Sequence, residues 1–276
     1  MSISKEMEYF SKDHPWPDGE GIESLFRFYS IDLKNIDFLK CLFIHGKLFH
    51  PLPKQFNDPF ECKPHFSWPT NPKMVATIRK HLIKLARSNG HTNKSAKALI
   101  SNNMSKPGYI QKIILGAAHY SYSELRICSF TTSKDNLLFW SHYADSHKGF
   151  CVEFDAARLP ISYAYKVRYK DEYPKVIYPS PSDATCFTPA LIKSKAWEYE
   201  EEFRTIFVPE DCPLKNDGSS LILADNQIKN IYFGVDIDIK HKEEILKLVS
   251  SGPFNPGLWD ANLSKTAFKL EFKKCA

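Results

Sequence analysis

The chain has 276 residues, which is long enough for one large domain with a substantial core. Its 43% hydrophobic and 14% aromatic content excludes a disordered protein. The sequence contains no run of about 18 apolar residues, and the polar, acidic N-terminus does not match a signal peptide. We therefore expect a soluble, cytoplasmic protein with no membrane partner. Its seven cysteines lack paired spacing, which predicts free thiols.

Hydrophobic patterning predicts mostly helices in the first half of the chain and mostly strands in the second. In chain order, the predicted strands are 24–31, 47–52, 125–132, 148–155, 162–169, 201–208, 228–236 and 267–274. The predicted helical segments are 35–43, 73–124 with breaks at 89–90 and 106–108, 134–145, 191–199 and 241–251, and a Pro/Ser/Thr-rich loop is predicted at 179–190. This order favours an α+β fold with a mixed, mainly antiparallel sheet core and a helical insertion. We treat residues 1–276 as a single catalytic-type domain.

The charge distribution marks the insertion, at 62–123, as basic. The chain as a whole carries a net charge of +5, but residues 62–123 contain ten Lys or Arg and no Asp or Glu. Within this stretch, Lys80, Lys84 and Arg87 share one face of a predicted amphipathic helix. A solvated helical face is the simple interpretation. The absence of acids over the whole stretch favours a polyanionic partner, most plausibly nucleic acid.

Several standard chemistries lack their sequence patterns. No Walker A, dinucleotide-binding or nucleophile-elbow pattern occurs, and only 11 glycines are present to build a phosphate-binding loop. The Cys62/His65 and His142/His147/Cys151 spacings match no standard zinc site. We therefore expect no metal cofactor.

Two short segments concentrate polar groups. Ser129 and Thr131 lie on one face of a predicted strand, where both hydroxyls could meet a ligand. In "KAWEYEEEFR", an extended backbone would place Glu200, Glu202 and Arg204 on one face. Such a carboxylate pair beside a guanidinium can have shifted protonation. Arg204 is interpreted as an ion-pair partner in preference to a ligand contact, and Glu198 and Glu201 as surface residues.

Five segments together resemble a widespread bacterial family of domains of unknown function. They are "LFRFYS", "FNDPFE", "CSFTTSKDNLLFWSHYADSHKGFCVEFD", "KSKAWEYEEEFR" and "IKNIYFG", and they run from about Leu25 to Ser250. The family is marked by NDPFE, W-S-H-Y-A-x-x-H-x-G and W-x-x-E-x-E-x-R in this order. The family label by itself implies no reaction.

The order of these segments is also similar, more remotely, to that of ADP-ribosyltransferases. There a first strand supplies Arg or His, a second supplies a Ser-x-Ser/Thr element, and a later strand opens with a catalytic Glu. The resemblance implies an ADP-ribosyltransferase-like fold and NAD as a substrate. It implies a catalytic glutamate among residues 200–202 and Arg27 as the group that binds the NAD phosphates. Of the two glutamates on one strand face, we expect Glu202 to be catalytic and Glu200 to be its partner, and the reverse order stays open.

The remaining roles that this resemblance implies surround the nicotinamide riboside. Ser129 and Thr131 would position the ribose, and Tyr29 or Phe60 would stack on the nicotinamide. Asn57 and Asp58 would lie in the loop beside the site, although Asn-Asp-Pro is also a common turn sequence. His142 would face the cleft and act on the acceptor, unless it is a structural histidine. Trp140 is expected to pack against the sheet.

The expected function is thus that of an NAD-dependent ADP-ribosyltransferase, a toxin or phage-defence effector that modifies RNA or DNA, with an antitoxin protein as a further candidate partner. Two alternatives stay open. One is a metal-dependent nuclease that uses Asp58, Glu61, Glu200 and Glu202. The other is a non-catalytic nucleic-acid-binding module whose acidic segment is only an ion-pair network.

Overall fold

The computed structural model describes residues 12–33, 36–63, 65–179 and 184–275, apart from the side chains of 118–122 and 184–186. The first residues of the chain and part of the predicted 179–190 loop lie outside the described residues. The strands are β1 (Ser24–Tyr29), β2 (Lys47–Phe49), β3 (His65–Ser67), β4 (Arg126–Phe130), β5 (Phe150–Asp155), β6 (Tyr165–Lys166), β7 (Arg168–Lys170), β8 (Lys175–Ile177), β9 (Ile192–Ser194), β10 (Phe203–Phe207), β11 (Ser220–Ile222), β12 (Ile228–Phe233), β13 (Gly257–Leu263) and β14 (Leu270–Lys274). The α-helices are α1 (Asp37–Phe43), α2 (Pro72–Ser88), α3 (Asn93–Met104), α4 (Tyr109–Ser123), α5 (Leu137–His142) and α6 (Ile239–Ser250).

The larger sheet has five strands in the order β1-β5-β12-β13-β14. Its pairs are antiparallel except for β12 with β13, which run parallel. A smaller antiparallel sheet has the order β4-β10-β6. The fold is therefore mixed, with mainly antiparallel sheets and several helices, as the sequence predicts.

Both faces of the five-stranded sheet are buried. Alternate side chains of β1 point to opposite faces and join two different apolar clusters. Leu25 and Tyr29 join the main core, which α1 and α6 cover, whereas Phe26 and Phe28 join a second cluster around Trp140 of α5. Trp140 is fully buried, which confirms its predicted packing against the sheet.

A backbone bridge between Phe26 and Thr131 joins the two sheets. The Phe26 amide donates to the Thr131 carbonyl at 2.8 Å, and the Thr131 amide donates to the Phe26 carbonyl at 2.9 Å. The first strand of the large sheet and the end of β4 therefore meet at one point and diverge from it, which opens a cleft between them.

The segment between α5 and β5 is built for a close backbone approach. Asp145, Ser146 and His147 have φ values of 47°, 53° and 68°, in the left-handed region. A Cβ on Gly149 would lie 2.0 Å from the Tyr29 carbonyl oxygen, so only glycine fits there. The His147 ring stacks on Trp140 with centroids 6.3 Å apart. The W-S-H-Y-A-x-x-H-x-G pattern spans Trp140 to Gly149, and these residues therefore determine the backbone path from α5 to β5 beside the cleft.

The insertion consists of three helices, broken where the sequence predicts. Helices α2, α3 and α4 enclose their own apolar cluster around Ile78, Leu82, Ile100 and Ile114. Strand β3 pairs with β8 ahead of α2. In the part of the chain that the structure describes, no helix has the length and apolarity needed to cross a membrane.

Some predicted elements were wrong. Residues 191–199, expected to be helical, form β9 followed by a 3-10 segment, Lys195–Glu200. The strand predicted to begin at residue 201 begins at Phe203. Strands β3, β8, β11 and β13 have no counterpart in the prediction. The cysteines whose side chains are described are free, as predicted: Cys41, Cys62, Cys128, Cys151, Cys212 and Cys275.

Candidate functional site

A pocket of about 370 Å³ lies at the cleft where β1 and β4 meet. Its walls come from β1, the end of β4, the loop 51–61, Tyr143 after α5, and the segment from β9 to β10. The size falls within the range of small-molecule sites. The pocket brings together six of the residues selected from the sequence: Arg27, Asn57, Ser129, Thr131, Glu200 and Glu202.

A buried ion-pair cluster forms one wall. Arg204, fully buried, binds Glu202 through both oxygens, with Nε–Oε1 at 2.7 Å and Nη2–Oε2 at 2.9 Å. Its Nη2 also donates to Glu61 at 2.6 Å. Lys193 contacts three carboxylates, at 2.5 Å for Glu200, 3.0 Å for Glu61 and 3.1 Å for Glu202. Three carboxylates thus share two cations, and one negative charge is left over when all five groups are ionised.

Glu200 and Glu202, two of the carboxylates that line the pocket, have pKa values shifted in opposite directions. Burial would raise the pKa of Glu202, but Arg204 and Lys193 outweigh burial and lower it to about 2. The pKa of Glu200 is raised, first by burial and then by the charge of Glu202, against the opposing effect of Lys193. The Tyr143 hydroxyl donates to Glu200 Oε1 at 2.7 Å. The pair therefore combines a carboxylate whose ionised form is strongly favoured with one that takes up a proton more readily than an ordinary glutamate.

The local backbone explains why Glu200 and Glu202 point together. Glu200 ends the 3-10 segment, and Glu201 has a left-handed conformation with φ 44° and ψ 50°. This turn leaves Glu201 exposed, where it accepts a hydrogen bond from the Thr132 hydroxyl at 2.5 Å. The predicted shared face of Glu200, Glu202 and Arg204 is therefore present, although an extended strand through residue 200 is not its cause.

Arg27 brings a guanidinium to the opposite wall. Its Nη1 donates to the Ser129 carbonyl at 2.7 Å, and the guanidinium lies 5.5 Å from the centroid of the Tyr29 ring. The Tyr29 ring stacks on Phe150 in the core with centroids 5.2 Å apart. Tyr29 therefore supports Arg27 from behind and, contrary to its predicted place, does not line the pocket.

Two hydroxyl residues, Ser129 in β4 and Thr131 just after it, lie in the pocket wall. Ser129 pairs with Arg204 in the register of β4 and β10, and its hydroxyl hydrogen-bonds to Glu202. Thr131 is buried, and its Oγ1 accepts the Ser133 amide at 3.3 Å. Both residues line the pocket.

Three other selected residues lie outside the pocket wall. Asp58 Oδ1 accepts the Phe60 amide at 2.8 Å, so Asp58 forms the turn that Asn-Asp-Pro also predicts. Phe60 is 64% exposed and points away from the site. His142 is exposed at the end of α5, and its neighbour Tyr143 faces the pocket instead.

The lining residues that had no site role in the leading interpretation include Phe56, Glu61, Tyr143 and Lys193. Lys193 is not identified from the sequence because residues 191–199 are predicted to be helical, whereas β9 buries this side chain. Glu61 is the last residue of NDPFE, and its buried carboxylate ties that loop to Lys193 and Arg204. Phe56 could have been predicted to line the pocket because it precedes Asn57 directly in the sequence.

The donor set does not fit a divalent metal. Lys193 and Arg204 already contact the oxygens of Glu61, Glu200 and Glu202 that would be metal ligands, and Asp58 faces its own turn. Within the described residues, no group of three or more His, Cys, Asp or Glu is arranged to hold a metal ion.

The basic face lies on the insertion. Lys80, Lys84 and Arg87 are all exposed along α2, and the buried residues Ile78 and Leu82 occupy the opposite side. The helix therefore has the two faces that its sequence predicts.

Comparison of this chain with protein-family models, with curated proteins and with solved structures found no match.

Proposed function

We propose that this protein is an NAD-dependent ADP-ribosyltransferase. The observation that carries the proposal is the Glu200–Glu202 pair, with its opposite pKa shifts, in a pocket that also holds a guanidinium and two hydroxyl residues. The cleft between two mainly antiparallel sheets is consistent with an ADP-ribosyltransferase-like fold. The ion-pair cluster alone would also suit a structural role, but the opposite pKa shifts of Glu200 and Glu202 in the pocket wall favour chemistry.

The proposed reaction breaks the bond between C1′ of the ribose and the nicotinamide nitrogen. Nicotinamide leaves with the electron pair of that bond, and positive charge develops on the sugar. The ionised Glu202 stabilises this charge. The acceptor nucleophile then bonds to C1′ and gives its proton to Glu200, whose raised pKa suits a proton acceptor.

The other pocket residues would bind NAD. Arg27 would contact the phosphates, because its planar guanidinium matches phosphate oxygens. Ser129 and Thr131 would hold the ribose hydroxyls, and Asn57 would line the loop side of the site. Phe56 replaces Tyr29 and Phe60 as the ring next to the bound nicotinamide.

The basic face of α2 supports nucleic acid as the acceptor, as RNA or DNA. Modification of nucleic acid by a cytoplasmic enzyme would suit a toxin or phage-defence effector, which an antitoxin protein would restrain. This part of the proposal depends on the charge of the insertion and not on the pocket.

The test is nicotinamide release from labelled NAD, with a panel of RNA, DNA and protein acceptors. We expect release by the wild-type protein, and loss of at least about 100-fold in Glu202→Gln and Glu200→Gln, given typical contributions of electrostatic and acid–base groups. Glu198→Gln, an exposed neighbour, is the matched control and should retain activity. Circular dichroism checks that each variant is folded.

Two results would overturn the proposal. One is the absence of NAD turnover with every acceptor, which would favour a non-catalytic binding module. The other is cleavage of nucleic acid that EDTA abolishes, which would favour the metal-dependent nuclease.

A further inference from the structure

An exposed group of rings includes Phe60, which directly precedes the pocket residue Glu61, and His65, which lies between Glu61 and the basic helices in sequence. We call Phe60, His65 and Tyr173 the ring patch. Tyr173 lies between the other two, with ring centroids 6.4 Å from Phe60 and 6.4 Å from His65, and it stacks on His65 at an interplanar angle of 19°. Phe60 is 64% exposed and Tyr173 is 46% exposed. Burying such rings would be favourable, yet their faces are left to solvent.

The ring patch is held by rigid neighbours. Phe60 precedes Glu61, whose buried carboxylate contacts Lys193 and Arg204. His65 begins β3, which pairs in parallel with β8 two residues after Tyr173. The segments that carry the rings are therefore anchored, at Glu61 on one side and at the β3–β8 pair on the other.

The charges around the ring patch favour an anionic partner. The patch adjoins the stretch 62–123, which has ten Lys or Arg and no acid. Lys63 and Lys175 are exposed and lie within two residues of a patch ring in sequence. Of the two acids before Tyr173, Asp171 pairs with Lys195 at 2.8 Å, and Glu172 is exposed.

We infer that the ring patch stacks the unpaired bases of a single-stranded nucleic acid, whose phosphates follow the basic helices. Exposed aromatic rings combined with Lys and Arg are the means by which proteins bind single strands, since every base has a flat face. A duplex keeps its bases stacked on each other and does not offer those faces. The inference names the acceptor class of the proposed function and depends on that function for chemistry, but not for binding.

The experiment measures binding without NAD. A labelled single strand about 12 nucleotides long, as RNA and as DNA, and the same sequence annealed to its complement are titrated with protein by fluorescence anisotropy. We expect tighter binding of the single strand. Tyr173→Ala and Phe60→Ala should weaken it about tenfold, from typical base–aromatic stacking. Tyr173→Phe should retain binding, and Phe268→Ala, a fully exposed ring in another loop, is the matched control.

Equal binding of duplex and single strand, or unchanged binding in both alanine variants, would overturn the inference. If Tyr173→Ala lost binding to a protein partner while its affinity for nucleic acid stayed unchanged, the inference would be overturned as well. With a single-stranded acceptor below saturation, nicotinamide release by Tyr173→Ala should fall together with acceptor binding, although Tyr173 does not line the pocket. Strand binding without NAD turnover would refute the proposed function alone, and turnover without strand binding would refute only this inference.

Discussion

Arg204 and Glu202, two residues apart, form a buried two-point ion pair, with Nε–Oε1 at 2.7 Å and Nη2–Oε2 at 2.9 Å. The same guanidinium reaches Glu61 and the Ala190 carbonyl, so it joins the NDPFE loop, the segment before β9 and β10. Arg204 is thus an ion-pair partner, in agreement with its interpretation from the sequence. It fixes the position of the carboxylate that lines the pocket.

Arg204→Lys should destabilise the protein by about 3–5 kcal/mol, because a lysine cannot reproduce the planar, two-point contact and leaves buried carboxylate oxygens unpaired. Urea unfolding followed by circular dichroism measures the free energy of unfolding. Arg87→Lys, on the exposed face of α2, is the control and should change stability by no more than about 0.5 kcal/mol. Equal effects in the two variants would contradict a structural role for the buried pair.

Tyr143→Phe should shift the acidic limb of the kcat/KM profile to higher pH. The Tyr143 hydroxyl donates to Glu200 and lowers a pKa that burial and Glu202 raise. Without this hydrogen bond the pKa of Glu200 rises further, so a larger fraction of Glu200 is protonated at a given pH. Protonated Glu200 cannot take the proton from the attacking nucleophile. Tyr199→Phe is the control. A profile that moves to lower pH, or does not move, would contradict the assignment of Glu200 as the proton acceptor.

His50 should make stability depend on pH between about 6.5 and 3. Burial lowers the pKa of His50 to about 3 from an ordinary 6.5. Its Nδ1–H donates to the Leu48 carbonyl, and Nε2 accepts from the Thr205 hydroxyl, which fixes the neutral tautomer. The unfolded chain binds a proton below about pH 6.5 while the folded chain does not. The stabilisation is therefore complete above that pH and is lost as pH falls towards 3.

Between about pH 6 and pH 4.5, the free energy of unfolding should fall by about 1.4 kcal/mol per pH unit from this residue. His50→Asn should remove that part of the slope, whatever its effect on absolute stability, and His142→Asn, an exposed histidine, should not. Urea unfolding at several pH values compares the three slopes. The carboxylates contribute equally to all three, so an unchanged slope in His50→Asn would refute the neutral buried histidine.

Charge reversal of Lys80, Lys84 and Arg87 to Glu should weaken RNA or DNA binding and reduce its salt dependence. Each lost phosphate contact lowers the slope of log K against log salt by about 0.7 for a single strand, or about 2 for three contacts. Anisotropy titrations at several salt concentrations measure this slope. If affinity and slope both match the wild type, the face is only solvated.

The sequence predicted local features well because they depend on neighbours along the chain. The helix breaks at 89–90 and 106–108 follow from glycine and proline, and the hydrophobic period of β1 and β5 is short-range. The sequence does not predict which face of the sheet a residue occupies when both faces are covered. Tyr29 and Phe28 are both buried, and only the position of α1 against that of α5 decides which ring lies in the main core.

The site was predicted in part for the same reason. Glu200, Glu202 and Arg204 were grouped by spacing, and Arg27 and Ser129 by segment order. Lys193 could not be found that way, because its contacts with Glu61 and Glu202 span 132 and nine positions of the chain and exist only after folding. Phe60 illustrates the converse, since its neighbour Glu61 enters the cluster while its own ring remains in solvent.

The left-handed backbone of Glu201 sets a limit on sequence change at a residue with no pocket contact of its own. Glycine, asparagine or aspartate can hold this conformation, whereas valine or isoleucine strains it by about 1–2 kcal/mol. A branched residue at this position would relieve strain by straightening the chain, and that would carry Glu200 away from Glu202. The spacing of Glu200 and Glu202 therefore depends on the backbone conformation of Glu201. The substitutions that position 201 tolerates should accordingly report on the geometry of the two acids.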